Sequence, residues 1–338
     1  MKILLIGGTG TISTAISRLL LGQGHELYLL NRGTRAGILQ GAHLLTADAS
    51  DEEAVGGLTA GMQFDAVADF VAFAPSQVQR DFRLFRGRTR QYFFISSASA
   101  YRKPLADYRI TESTPLANPY WEYSRNKIAC EEFLTQQFRE SGFPVTIVRP
   151  SHTYDERSVP LGVHGKKGSW QVVRRMLQGK PVIIQGDGTS LWTMTHSSDF
   201  ARGFAGLIGN IHAVGEAVQI TSDETLTWNQ IYECIAAALH VKLSAVHISS
   251  EFLAACDPES YLGTLIGDKS NSVVFDNSKL RRLVPGFHAQ VRFDQGIART
   301  VENILAHPDL QTADPAFDTW CDRIVAARET ALGALCGH

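Results

Sequence analysis

The stretch Lys2-Ile3-Leu4-Leu5-Ile6-Gly7-Gly8-Thr9-Gly10-Thr11-Ile12-Ser13 decides the fold. Its first five residues form a short apolar run of the kind that becomes a buried strand. The glycines follow at once, and Thr14 to Leu21 then alternates small and apolar residues as a helix does. Strand, Gly-rich turn and helix is the context of a dinucleotide-binding turn. There the backbone approaches a pyrophosphate, and the helix N-terminus offers free N–H groups and a positive dipole end. Ser13 stands where the third glycine of the usual pattern would be. It is small enough to keep helix and strand close.

Outward from this turn, strand signals recur at Glu26–Leu30, His43–Thr46, Ala66–Val71, Tyr92–Ile95 and Thr146–Val148. Helical patterns lie at Asp51–Leu58, Ser76–Phe85 and Tyr123–Glu140. Such alternation predicts an α/β fold, a doubly wound parallel sheet of Rossmann type, with a smaller C-terminal lobe after residue 150. Residues 1–150 are expected to form the dinucleotide-binding region. Residues 151–310 should supply most of the lobe, with some strands and helices returning to the core. Residues 311–338 read as a C-terminal helix.

A second constellation lies at Ser96-Ser97-Ala98-Ser99-Ala100-Tyr101 and Tyr123-Ser124-Arg125-Asn126-Lys127. In a helix Tyr123 and Lys127 share a face. An ammonium beside a phenol favours phenolate, and a serine at a strand end can hydrogen-bond a substrate oxygen. Phenol, cation and hydroxyl together suit proton exchange with an alcohol or ketone.

The chain resembles an extended short-chain dehydrogenase/reductase of the NAD-dependent epimerase/dehydratase family. The resemblance rests on Gly7-Gly8-Thr9-Gly10, Ser96 to Tyr101, Tyr123 with Lys127, Val148-Arg149-Pro150, Gly186-Asp187-Gly188 and His196-Ser197-Ser198-Asp199, in the family's order. It implies Ser97, Tyr123 and Lys127 as catalytic residues, and a smaller C-terminal substrate-binding lobe. It implies a cofactor held by Gly7, Thr9, Gly10, Thr11, Ile12, Asn31, Arg32, Asp48, Ala49, Phe70, Ser96, Lys127 and Pro150. Asp48 would face the adenine, a helix cap being the rival reading. Core packing is equally open for Phe70. NAD-preferring relatives carry an acidic residue in the loop Asn31-Arg32-Gly33-Thr34-Arg35, and this chain has none. The fork of Arg32 suits a 2′-phosphate, so NADP is favoured, with NAD as the alternative.

At the substrate end the match departs from the family. Ala98-Ser99 replaces the Asp-Glu of dehydratases. His152 replaces an Asn of nucleotide-sugar epimerases, and Trp192 replaces their diphosphate-gripping Arg. Ser99, Trp121, His152 and Trp192 are the substrate candidates, with Trp192 as a stacking platform. Trp121 and Tyr154 suit either a pocket wall or the core. Lys166, Lys167 and Lys180 read as solvated surface, and His196 with Asp199 as structural.

The expected activity is an NAD(P)-dependent oxidoreductase or epimerase acting at a carbinol or carbonyl carbon of a sugar-like or other small substrate. A nucleotide-sugar epimerase with tightly held NAD is the first alternative. A non-catalytic NAD(P)-binding or RNA-associated scaffold is the second. A net charge of −2 gives no footprint for nucleic acid. The five cysteines show no metal spacing and no disulfide framework. No apolar run reaches membrane length and no leader pattern precedes the first strand. A cytoplasmic protein with a small-molecule substrate is expected, without metal, nucleic-acid or membrane partners, and a homodimer stays open.

Overall fold

A computed structural model describes residues 1–33 and 39–336. Thr34, Arg35 and the last two residues lie outside the described residues. Seven parallel strands form the central sheet. They are β1 (Lys2–Ile6), β2 (Glu26–Asn31), β3 (His43–Thr46), β4 (Ala66–Asp69), β5 (Tyr92–Ile95), β6 (Val145–Pro150) and β7 (Ala217–Ile220). Their order across the sheet is β7-β6-β5-β4-β1-β2-β3. Ile6 stands between Leu30 of β2 and Asp69 of β4 in register. The strand order reverses at β1, which places a crevice at its carboxyl end.

Alternation along the strands sends side chains to two layers. Ile3, Leu5, Leu27, Leu29, Phe93 and Val148 pack with Ile16 and Leu20 of helix α1 (Thr11–Gly22). Leu4, Ile6, Leu30, Val67, Phe94 and Ile147 face the other way. There they meet Val55 of α2 (Glu52–Leu58), Val78 and Phe85 of α3 (Pro75–Phe85), and Cys130 and Leu134 of α4 (Glu122–Ser141). Both faces of the sheet are therefore covered, as a parallel sheet requires.

Strand β4 ends at Asp69, two residues short of the expected Val71. The Asp69 carboxylate accepts from the N–H groups of Val71 and Ala72 at 2.5 and 2.8 Å. This local bonding turns the chain away from the ladder.

The chain divides into two compact units. The first comprises Met1–Thr153, Thr195–Asp223 and Phe275–Gln290. Its later segments supply β7, the helix Ser197–Leu207, and Phe287, which packs into the core of the first layer. The second comprises Tyr154–Met194, Glu224–Val274 and Val291–His338. It holds the parallel pair Val182–Gln185 and Ala245–Ile248. Its C-terminal helix, Pro315–Cys336, is fastened by Arg175, which donates to Asp318 and Asp322 at 2.7 and 2.8 Å. Among the described residues no helix is long and apolar enough to cross a membrane.

Candidate active site

At the carboxyl end of β1 the Gly-rich turn opens onto a cavity of about 440 Å³. Gly7 has φ +81°, and a Cβ there would lie 2.4 Å from Val71 Cγ1. A Cβ on Gly8 would lie 2.6 Å from Leu29 Cδ2. These two glycines are required by the protein's own packing. Gly10 is different, since its Cβ would meet only Ser13 Oγ at 3.4 Å. The open space before the first turn of α1 is room for a phosphate to approach the helix N-terminus. Ser13 proves to be a brace. It donates to the Gly7 carbonyl and accepts from the Gly10 N–H, both at 2.8 Å.

Of the expected cofactor residues, Gly7, Thr9, Gly10, Asn31, Arg32, Asp48 and Ala49 line this cavity. Asn31 accepts from Gly33 N–H and shapes the loop, while Arg32 is exposed at the rim. Asp48 caps no helix. It accepts from the backbone and hydroxyl of Ser50, which hold its carboxyl below the usual range, and Asp51 caps α2 instead. Phe70 packs 5.8 Å from Phe204 in the core. Ser96 is turned inward, its hydroxyl donating to Glu131 at 2.5 Å. Phe70 thus takes the core-packing alternative and the Ser96 side chain faces α4, and neither lines the cavity. Thr11, Ile12, Lys127 and Pro150 are not on the cavity lining. The sequence reading missed Phe73, Gln77 and Arg80, which also line it. They lie between β4 and the middle of α3, and only the reversal of strand order at β1 brings that segment to the turn.

Tyr123 and Lys127 stand in the first turns of α4. Lys127 is buried and donates to the carbonyls of Ala72 at 2.7 Å and Ile95 at 2.6 Å. Its ammonium lies 4.7, 4.9 and 5.7 Å from the ring centres of Phe73, Phe94 and Tyr123. Burial pushes its pKa down to about 8, against an upward pull from Asp69. Phe73 and Trp121 flank the Tyr123 ring at 6.2 and 4.9 Å. An ammonium has three donors. Two are committed to main-chain carbonyls, so one remains to serve a ligand hydroxyl.

Ser97 ends the strand region of β5 and caps a short 3₁₀ turn, Ala98–Ala100. Its oxygen accepts from Ser99 N–H at 3.1 Å and lies 2.9 Å from the Ser99 hydroxyl. Ser99 is itself buried, and Ser124 donates to it at 2.7 Å. The side chain of Ser99, expected as a substrate contact, is turned inward behind Ser97. His152 begins a short strand, His152–Tyr154, directly after β6. Trp192, in the second unit, is 4 % exposed and stacked on Trp228 with ring centres 5.8 Å apart. It is no open platform, because burial of both indoles takes the face a ligand would need. Tyr154 packs edge-on to Phe293. Lys166 pairs with Glu259, and Lys180 with Asp318 and Asp322. His196 accepts from Ser198 N–H, and Asp199 is buried and accepts from Gln290 N–H and pairs with Arg202, so both hold structure.

Beneath the site, Arg149 of β6 grips Glu131 of α4 through two hydrogen bonds, at 3.0 and 2.6 Å, with both groups buried. This pair fixes the helix that carries Tyr123 and Lys127 against the sheet.

Residues 3–220 match the NAD dependent epimerase/dehydratase family, and the chain belongs to that family. Its cofactor is accordingly of the NAD(P) type. The chain is 26 % identical over 290 residues to a 2′-dehydrokanamycin reductase of Streptomyces kanamyceticus, covering 85 % of this chain and 80 % of that protein. It is 25 % identical over 208 residues to a UDP-glucose 4-epimerase of Mycolicibacterium smegmatis, covering 61 % of this chain and 59 % of that one. The fold matches that of an epimerase from Methanothermobacter thermautotrophicus with a TM-score of 0.75 at 16 % identity, over 91 % of this chain and 93 % of the other.

Proposed function

We propose that this protein is an NADP-preferring reductase of a small cyclic ketone, in which Tyr123 exchanges the proton, Lys127 supports it and Ser97 orients the substrate oxygen. The observation that carries this reading is the gathering of Tyr123, Lys127 and the Ser97 turn at the carboxyl ends of β4 and β5, next to the strand that leads into the Gly-rich turn. The cofactor, when bound, supplies the hydride. The N–H groups of the first turn of α1, approached over the open side of Gly10, would hold its pyrophosphate, Arg32 its 2′-phosphate, and the uncommitted N–H of Lys127 its nicotinamide ribose. Positive charge at Lys127 favours the ionised phenol of Tyr123. Trp192 offers no charged fork for a diphosphate, which speaks against a nucleotide sugar. A relative named as a reductase, matched over most of the chain, supports the same direction.

The rival reading is a UDP-sugar epimerase that keeps its NAD through turnover, as the second relative's name suggests. The two separate in one experiment. Purified protein is mixed with NADPH or NADH and a panel of cyclic ketones and keto-sugars, and absorbance at 340 nm is followed. Net, ketone-dependent NADPH loss is expected. Protein that carries NAD through purification and interconverts UDP-glucose and UDP-galactose would displace the reductase reading.

A further inference from the structure

Three hydroxyls form an unbroken line behind the proposed site. Ser124 is fully buried on α4 and donates to Ser99 at 2.7 Å. Ser99 lies 2.9 Å from Ser97, with the donor of that bond not set by heavy-atom geometry. Asn118, also buried, donates to the Ser99 carbonyl at 2.8 Å and keeps the turn in place. Each hydroxyl has one proton to give and two lone pairs. With the Ser124 proton spent on Ser99, the acceptor that faces the buried Ser99 proton among the described residues is the oxygen of Ser97. If Ser97 donated instead, the Ser99 proton would be buried without a partner, which is costly.

We infer that Ser124 and Ser99 are positioning residues that commit Ser97 to donate its proton outward. The lone pairs of Ser97 are filled by the N–H and O–H of Ser99. Its own O–H is then the remaining group and points to the half-exposed side. Hydrogen bonds in such a chain polarise one another, so Ser97 becomes a better donor than an isolated serine. Resting on the reading of Ser97 as the residue that orients the substrate oxygen, this makes Ser97 the donor in that contact and the substrate oxygen the acceptor. Proton exchange falls to Tyr123 alone, because Ser97 has no lone pair free to receive a proton.

Two measurements test this. Neutron diffraction on crystals of the full chain exchanged into D₂O locates the Ser99 deuteron. It is expected on the line from Ser99 Oγ to Ser97 Oγ, and a deuteron on Ser97 pointing at Ser99 would overturn the inference. NADPH-dependent reduction of 1,2-cyclohexanedione, as a probe ketone, tests the consequence. Ser124→Ala should lower kcat about fivefold with the KM for NADPH unchanged, and Ser124→Thr should restore it. In a Ser97→Ala background, Ser124→Ala should have no further effect. An additive loss in the double variant would mean that Ser124 does not act through Ser97. A protein that turns over no ketone refutes the reductase reading, while the deuteron position still decides the proton order.

Discussion

The ammonium of Lys127 lies 5.7 Å from the ring centre of Tyr123, one helical turn before it, and is held there by two main-chain carbonyls. The lysine therefore sits under the aromatic face as a fixed charge, and its position does not depend on a cofactor to set it. The carbonyls belong to Ile95, the last residue of β5, and to Ala72 in the turn that follows β4, so the charge is tied to two neighbouring segments at the carboxyl edge of the sheet.

Replacing Tyr123 by Phe removes the only proposed phenolic acid/base while leaving the ring between Phe73 and Trp121. Turnover is expected to fall by at least ~10². Cofactor affinity, read by titration of NADPH fluorescence, should hold. Undiminished turnover would take Tyr123 out of the mechanism.

The depressed Lys127 pKa has two consequences with opposite signs. Activity should fall as pH rises through about 8, where the buried ammonium loses its charge. The Lys127 contribution to stability should rise over the window from about 8 to 10.5, because the unfolded lysine still binds a proton that the folded one has released. In urea titrations the gain reaches up to ~3 kcal/mol across that window. Lys127→Met keeps the buried thiols and phenols that titrate with the opposite sign, so the comparison is the difference between wild type and variant: it should grow in favour of the wild type across this window, and a difference that shrinks with pH there would contradict the burial argument.

Arg32 at the cavity rim predicts a choice of cofactor. Arg32→Ala should weaken NADPH binding about tenfold, the loss of one charge-assisted contact, and leave NADH binding nearly unchanged. Calorimetry with both nucleotides checks this. Tighter binding of NADH than NADPH by the wild type would make Arg32 an ordinary surface residue.

A buried ion pair broken on one side leaves a charge without its partner. Glu131→Gln should cost ~3–5 kcal/mol of unfolding free energy, because Arg149 remains buried. A chemical-denaturation midpoint within error of wild type would show that water reaches the guanidinium.

UDP-glucose should bind cofactor-loaded protein weakly, with a dissociation constant above ~0.1 mM. Trp192 carries no charge and is occupied by Trp228. Calorimetry giving low-micromolar affinity would return the chain to the sugar-nucleotide epimerases.

What could be read from the residues was whatever local order encodes. The apolar run Lys2–Ile6 followed by glycines, and the four-residue spacing from Tyr123 to Lys127, carry their meaning within one turn or one helix. Ser124 looks like any helix serine in the sequence. Its partner Ser99 is 25 positions away, and only the packing of α4 on the end of β5 joins them. Glu131 and Arg149 are likewise ordinary charges until β6 and α4 are set side by side. Nothing local to Ala217–Ile220 says that this strand pairs with β6. Trp192 misled for a related reason. A lone tryptophan near a site suggests a platform, and the residue that covers it, Trp228, is 36 positions on.

The interrupted layout of the first unit governs how the chain matures on the ribosome. The strand Ala217–Ile220 and the segment Phe275–Gln290 are translated long after residue 153 has emerged. At ~5–20 residues per second, the nascent sheet waits on the order of ten seconds with an unpaired β6 edge. Such an edge is a template for wrong pairing. Truncation after residue 150 would make that waiting state permanent, so a fragment cut there should need a chaperone or aggregate, although it holds the whole Gly-rich turn.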